Sequence, residues 1–366
     1  MEKIKETYAC KILTLAALSC ETSHLAVKIL CNDNLGSCKS TLWRMRQKER
    51  HRICAEKYTE PTPLLSAGGK GKGIRLAKAA IPYLKLIDTE LFTVYMQRSH
   101  QHRGKANAKH SRRLQMVSEA VAVMMQADIV LFPSKKRKLI KMYSGASQTQ
   151  TAAKPMFYIS TELKNRDTLR EMSYTRCAGL FITPGKPYVV YSTGKGVFEW
   201  HENAEERAQV AVERIIRAHF IFNTSQRPIF MADAMLVFGL GIKPAISMLA
   251  TPSKEWDALH GCYHSVHYAP KNSDGAMLAR YMAMPEYLAK TRNFIAPSKD
   301  SLIFLDANLV ALKKFRRQCE SERERRFAIY GTVWELKIAA HYLNGLDNVQ
   351  FYEVDMEKLL GILSEK

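Results

Sequence analysis

Residues 37–50 read SCKSTLWRMRQKER. Leu42 and Met45 recur at the spacing of an inward helical face, which leaves Lys39, Arg44, Arg46, Lys48 and Arg50 for the outward one. Upstream, ETYACKILTLAALS (6–19) places Tyr8, Ile12, Leu15, Ala16 and Leu18 at helical spacing. CETSHLAVKIL then starts a second helix with Thr22 or Ser23 as its N-cap, and CNDNLG makes a turn closing at Gly36. Downstream, HRICAEKY (51–58) reads as a strand, followed by a loop ending in GGKGKG (68–73) and a second strand, GIRLA (73–77). A further helix begins near Lys78. Helix, helix, turn, helix, hairpin predicts a winged helix-turn-helix over residues 1–96. The 37–50 helix would enter a DNA major groove, and Lys70 and Lys72 would meet phosphates from the wing.

Charge supports that partner. The chain of 366 residues carries 55 Lys+Arg against 35 Asp+Glu, a net +20. Residues 1–150 hold 27 basic and 11 acidic side chains, the rest 28 and 24, so most of the excess sits in the first part. A local basic excess points to a polyanion, nucleic acid before an acidic membrane surface, and with the winged helix it points to double-stranded DNA. The eight scattered cysteines form no CxxC, which suits reduced thiols in a cytoplasm. KILTLAALSC (11–20) has the look of a short signal core, but Glu2 and Glu6 interrupt its leader and its spacing fits an amphipathic helix. No run approaches the ~20 apolar residues of a membrane span.

Residues 97–113, QRSHQHRGKANAKHSRR, contain no acid and almost no apolar residue; they read as a basic linker whose Arg112 and Arg113 contact phosphate. LQMVSEAVAVMMQA (114–127) is an apolar helix, DIVLFPS (128–134) a strand, KKRK (135–138) a charged turn and 144–153 a loop. Residues 114–240 then form an α/β core. MFYIST, CAGLFIT and PYVVYST are strands, the last two joined at Pro184-Gly185, NAEERAQVAVERIIRAHF (203–220) is an amphipathic helix and RPIFMAD (227–233) a further strand. That order is the restriction-endonuclease-like one, which many other α/β domains share. Residues 241–366 form a C-terminal α/β extension, with helices near 308–327 and 332–343 and a strand at VQFYEVD (349–355).

FYISTELK (157–164) tests whether the core cuts DNA. On a strand, Glu162 and Lys164 share a face, as half of a magnesium-dependent nuclease site. The missing acid would be Asp128 or Asp167, and the hairpin 178–193 contains none. A single carboxylate holds a hard divalent ion weakly, so the expected state is binding without a metal or other cofactor. The second Glu-x-Lys, WELK (334–337), falls on a helix. HGCYHSVHY (260–268) offers His260, Cys262, His264 and His267 to zinc, but its alternation reads more simply as a strand with one polar face. GLGIKP (239–244) lacks the full nucleotide-loop fingerprint.

TLAALS, the basic third helix and KGIRLAKAAIPYL resemble the N-terminal winged helix of the replication-relaxation proteins of Firmicutes plasmids and integrative elements. SRRLQMVSEAVAVM, FYISTELK, TRCAGLFITPGKPYVVYSTG and DNVQFYEVDMEKLLGIL are similar to the remainder of that group. The resemblance implies a DNA-binding accessory protein of a mobile element, acting in replication or transfer beside a relaxase or replication initiator. It also implies a winged helix followed by a degenerate restriction-endonuclease-like domain. A metal-dependent nuclease and a dimeric transcriptional repressor are the alternatives.

Overall fold

The structure is a computed structural model describing residues 7–54, 57–68, 73–102, 108–139, 150–151, 154–164, 168, 170–172, 175–196, 200, 202–221, 232, 234–251, 263–295 and 297–364. It is a mixed α/β chain that divides into two compact units, Met1–Lys138 and Leu139–Lys366. Among the described residues no helix is long and apolar enough to cross a membrane.

The first unit is built around α1 (Tyr8–Ser19), capped by the Thr7 hydroxyl, which accepts from the Cys10 N–H at 3.1 Å. Residues 12–19 of α1 are all buried, so the stretch with a signal-like look is the central helix of a domain. Helix α2 (His24–Leu30) takes Ser23 as its N-cap, and α3 spans Leu35–Arg46. The next pairing departs from the expected wing. Within the stretch read as one strand, β1 (Arg52–Cys54) pairs antiparallel with β2 (Lys57–Tyr58), and the later hairpin is β3 (Leu65–Ala67) with β4 (Ile74–Leu76). Thr22, between α1 and α2, exchanges both backbone hydrogen bonds with Ile74 at 2.8 Å, which adds a third strand position to that hairpin. A 3-10 turn (Lys78–Tyr83) containing Pro82 leads to α4 (Leu84–Ile87) and α5 (Thr89–His102).

The stretch read as a linker is helical at both described ends: 97–102 finish α5, and 108–113 open α6 (Ala108–Gln126). Polar composition is no bar to a helix when its few uncharged small residues pack. Ser111 is buried, and Arg98 is buried with its Nη1 donating to the Leu18 carbonyl at 3.0 Å. Helix α6, expected in the α/β core, packs instead on α2 and α1, with Leu114, Val117, Val121 and Met124 among its buried residues. DIVLFPS forms no strand: Asp128 turns the chain after α6 with φ 59°, and Pro133 opens a 3-10 turn. In KKRK, Lys138 pairs with Glu90 at 2.9 Å and Lys136 is buried.

The second unit centres on a five-stranded sheet. Its strands are β6 (Met156–Ile159), β7 (Cys177–Ile182), β8 (Pro187–Ser192), β10 (Ala234–Gly239) and β11 (Ser265–Pro270), in the order β11-β10-β8-β7-β6. Strands β6, β7 and β8 are antiparallel; β8, β10 and β11 are parallel. Every residue of β7, β8, β10 and β11 is buried, as both faces of such a sheet are covered. Strand β11 therefore has no polar outer face, contrary to its alternating sequence. Two-residue strands β5 (Gln150–Thr151) and β9 (Phe220–Ile221) form a separate parallel pair. Helix α7 (Ser160–Leu163) follows β6, α8 (Glu202–His219) crosses from β8 to β10, and α9 (Lys243–Ala250) follows β10. The strand expected at 227–233 lies outside the described residues apart from Ala232, and the described strand begins at Ala234. Helices α10 (Ser273–Ala283) and α11 (Pro285–Ile295) lead to a parallel sheet, β12 (Ser301–Ile303), β13 (Phe327–Gly331) and β14 (Val349–Glu353). This sheet is joined by α12 (Leu309–Ser321) and α13 (Val333–Tyr342) and closed by α14 (Met356–Ser364). The expected helix 308–327 stops at Ser321, because FAIYG needs strand geometry to bury Phe327 and Ile329 together.

Candidate nucleic-acid interface

Helix α3 is set by the turn before it. Asn32 and Asp33 both take left-handed backbone (φ 52° and 60°), which their short polar side chains tolerate. Asn34 then caps α3, its Oδ1 accepting from the Ser37 N–H at 3.0 Å. One stripe, Cys38, Leu42 and Met45, is buried, and the Leu64 N–H donates to the Met45 carbonyl at 2.8 Å, tying the end of α3 to the entry of β3. The opposite face is open: Gly36, Lys39, Ser40, Trp43, Arg44 and Arg46 are all exposed.

Lys39, Arg44 and Arg46 thus stand together on α3, as the spacing predicts. Lys48 and Arg50 are exposed too, but lie past the helix, which ends four residues before Arg50. The Arg44–Glu49 pair is long, 3.9 Å, and solvated, so it holds little of the Arg44 charge. His24 at the start of α2 is held below its ordinary pKa, first by burial and then by the Arg46 charge. Arg112 is exposed and Arg113 half-buried on α6. Lys70 and Lys72 lie outside the described residues.

The Glu-x-Lys of the nuclease reading does not take the expected strand geometry. Glu162 and Lys164 are not on a strand: β6 stops at Ile159, and α7 places Glu162 in its first turn, where its Oε2 accepts from the Ile159 N–H at 2.9 Å. Asp128 belongs to the first unit and Asp167 lies outside the described residues. The second Glu-x-Lys does the same job. Glu335 accepts from the Thr332 N–H at 3.0 Å and from its hydroxyl, closing a capping box on α13. Burial drives its carboxyl up to about 7 against the hydrogen bonds from Thr332, with the nearby Asp274 charge adding to the rise. Both triplets are therefore helix-start signatures in this chain. Supercoiled plasmid incubated with the protein and magnesium or manganese is expected to stay intact; nicking that disappears in Glu162→Ala would reverse that expectation.

His260 and Cys262 of the histidine-rich stretch lie outside the described residues, and His264 is exposed. His267 is buried on β11, its Nδ1 2.8 Å from the Asp306 carbonyl oxygen, and burial pushes its pKa down to about 4. Among the described residues no group of three or more His, Cys, Asp or Glu side chains is arranged to hold a metal ion. Missed from the sequence was Trp43, 61% exposed among the basic residues of α3. Its position, one past Leu42 of the buried stripe, was the available signal.

Comparison with protein-family models, with curated proteins and with solved structures gives no match to this chain.

Proposed function

We propose that the chain binds double-stranded DNA, with Met1–Lys138 as a winged helix-turn-helix domain and α3 as its groove-reading helix. The observation that carries this is the open face of α3, where Lys39, Arg44 and Arg46 stand exposed opposite a buried apolar stripe. Three features support it. The α2–turn–α3 pair is followed by the β3–β4 hairpin, and Thr22 extends that hairpin as a third strand position. The first unit also holds 26 basic against 11 acidic residues, 15 of the chain's net 20 charges. In the second unit, three antiparallel strands, a crossover helix and a parallel strand suit a restriction-endonuclease-like scaffold, though Glu162 is engaged in capping. A role as an accessory factor in replication or transfer of a plasmid or integrative element, next to a relaxase or replication initiator, follows from the resemblance of the sequence alone.

The test is the salt dependence of binding. Arg44→Ala and Arg46→Ala are each expected to weaken binding and flatten the slope of log K against log salt by about one unit, the counterions released at one phosphate. Unchanged slopes and affinities in both variants would remove α3 from the interface.

A further inference from the structure

Trp43 is out of keeping with its surroundings. It is 61% exposed, and it stands between Lys39 one turn before and Arg46 one turn after, with Arg44 beside it. Gly36 and Ser40, on the same open side, present almost no side chain, while Leu35 and Lys39 stand exposed beside them and the indole projects from the C-terminal half. Phosphate contact explains the cations and leaves the indole without a role. A large apolar group ringed by cations fits a polyanion that also offers an apolar feature. On the floor of the DNA major groove that feature is the C5-methyl of thymine.

We infer that Trp43 reads thymine: its indole packs on a thymine methyl in the major groove while Lys39, Arg44 and Arg46 hold the flanking phosphates. This rests on the DNA-binding reading and adds to it the base edge that is recognised. The cations position and carry no sequence information; the indole supplies part of the preference. An apolar protein partner is disfavoured because docking it on this face would strip water from three cations with no acid to receive them.

The test exploits a substitution that removes the methyl and nothing else. A tight-binding duplex is selected from a random pool with the native protein, then remade with each thymine in turn replaced by uracil. The native protein is expected to lose about fourfold in affinity at one or more positions, the worth of one buried methyl. Trp43→Ala is expected to bind the thymine and uracil duplexes equally, with an unchanged salt slope and, because Trp43 is exposed, an unchanged melting temperature. Native binding indifferent to uracil overturns the inference and leaves the DNA-binding reading standing. So does thymine discrimination that persists in Trp43→Ala, or tighter binding to the single strand than to the duplex. Failure of the native protein to bind any duplex overturns both.

Discussion

Glu21→Ala is expected to destabilise the first unit by about 3 kcal/mol, the usual penalty for breaking a buried, hydrogen-bonded charge pair. The Glu21 side chain is fully buried between α1 and α2. Its Oε2 accepts from Arg75 Nε at 2.9 Å and Nη2 at 2.6 Å on β4. Its Oε1 accepts from Gln115 Nε2 at 2.9 Å and from the Ser111 hydroxyl, both on α6. One carboxylate therefore holds the α1–α2 junction, the hairpin and α6 together, and alanine leaves donors on two elements unpaired. Glu21→Gln keeps the shape and loses the charge, so it should cost less. The pH dependence gives a second readout. Burial alone would raise this carboxyl, but the hydrogen bonds from Ser111, Gln115 and Arg75, with the Arg75 charge, together hold it below its ordinary value. A depressed folded pKa contributes stability above the unfolded value and loses it as pH falls through the folded one. The gap in unfolding free energy between native protein and Glu21→Gln should thus be widest near neutrality and narrow in acid. A gap that stays constant down to about pH 3 would show that the charge does not contribute.

Gly179→Ala is the counterpart in the second unit. A Cβ at this position in β7 would stand 2.2 Å from the Tyr158 carbonyl oxygen and 2.6 Å from the Phe157 ring on the adjacent β6. The first of these is backbone in a paired strand and cannot swing aside. The register of β7 against β8 also shifts between Cys177 and Gly179, so the strand is already irregular here. Alanine must push β6 away from the sheet, at a cost of about 3 kcal/mol, the upper range for overpacking. A lowered denaturant midpoint for the second unit, with the first unit's midpoint unchanged, is the expected result. A native-like midpoint would mean that β6 gives way easily.

Local signals were legible in the sequence where they were sufficient. Ser23, one of the two caps the sequence offered for the second helix, places its oxygen over an open backbone N–H, and such a cap is visible in a string of letters; Thr7 and Asn34 do the same for the helices on either side. The 177–192 hairpin is marked by two apolar runs around Pro184-Gly185. What failed depended on partners far along the chain. Nothing local shows that Ser111 and Gln115 bond to Glu21, so the polar start of α6 reads as linker. Nor does the sequence distinguish a strand carboxylate aimed at a metal from one that caps the next turn, which is how Glu162 came to look catalytic. At the candidate site the cations were legible as charge. Trp43 was not, because an aromatic beside a buried leucine reads as core until the helix is seen to end its contacts at Leu42 and Met45.

The packing of α6 on α1 and α2 has a consequence for synthesis. Helix α3 ends at Arg46, but the helix that covers the apolar core behind it ends at Gln126. A ribosome adding roughly 5–20 residues per second therefore leaves α1 without its cover for several seconds after α3 has emerged. The nascent chain exposes the cations of α3 before the domain that presents them has folded. The close hold of Glu21 on both α6 and the hairpin makes the arrival of α6 the event that completes the first unit.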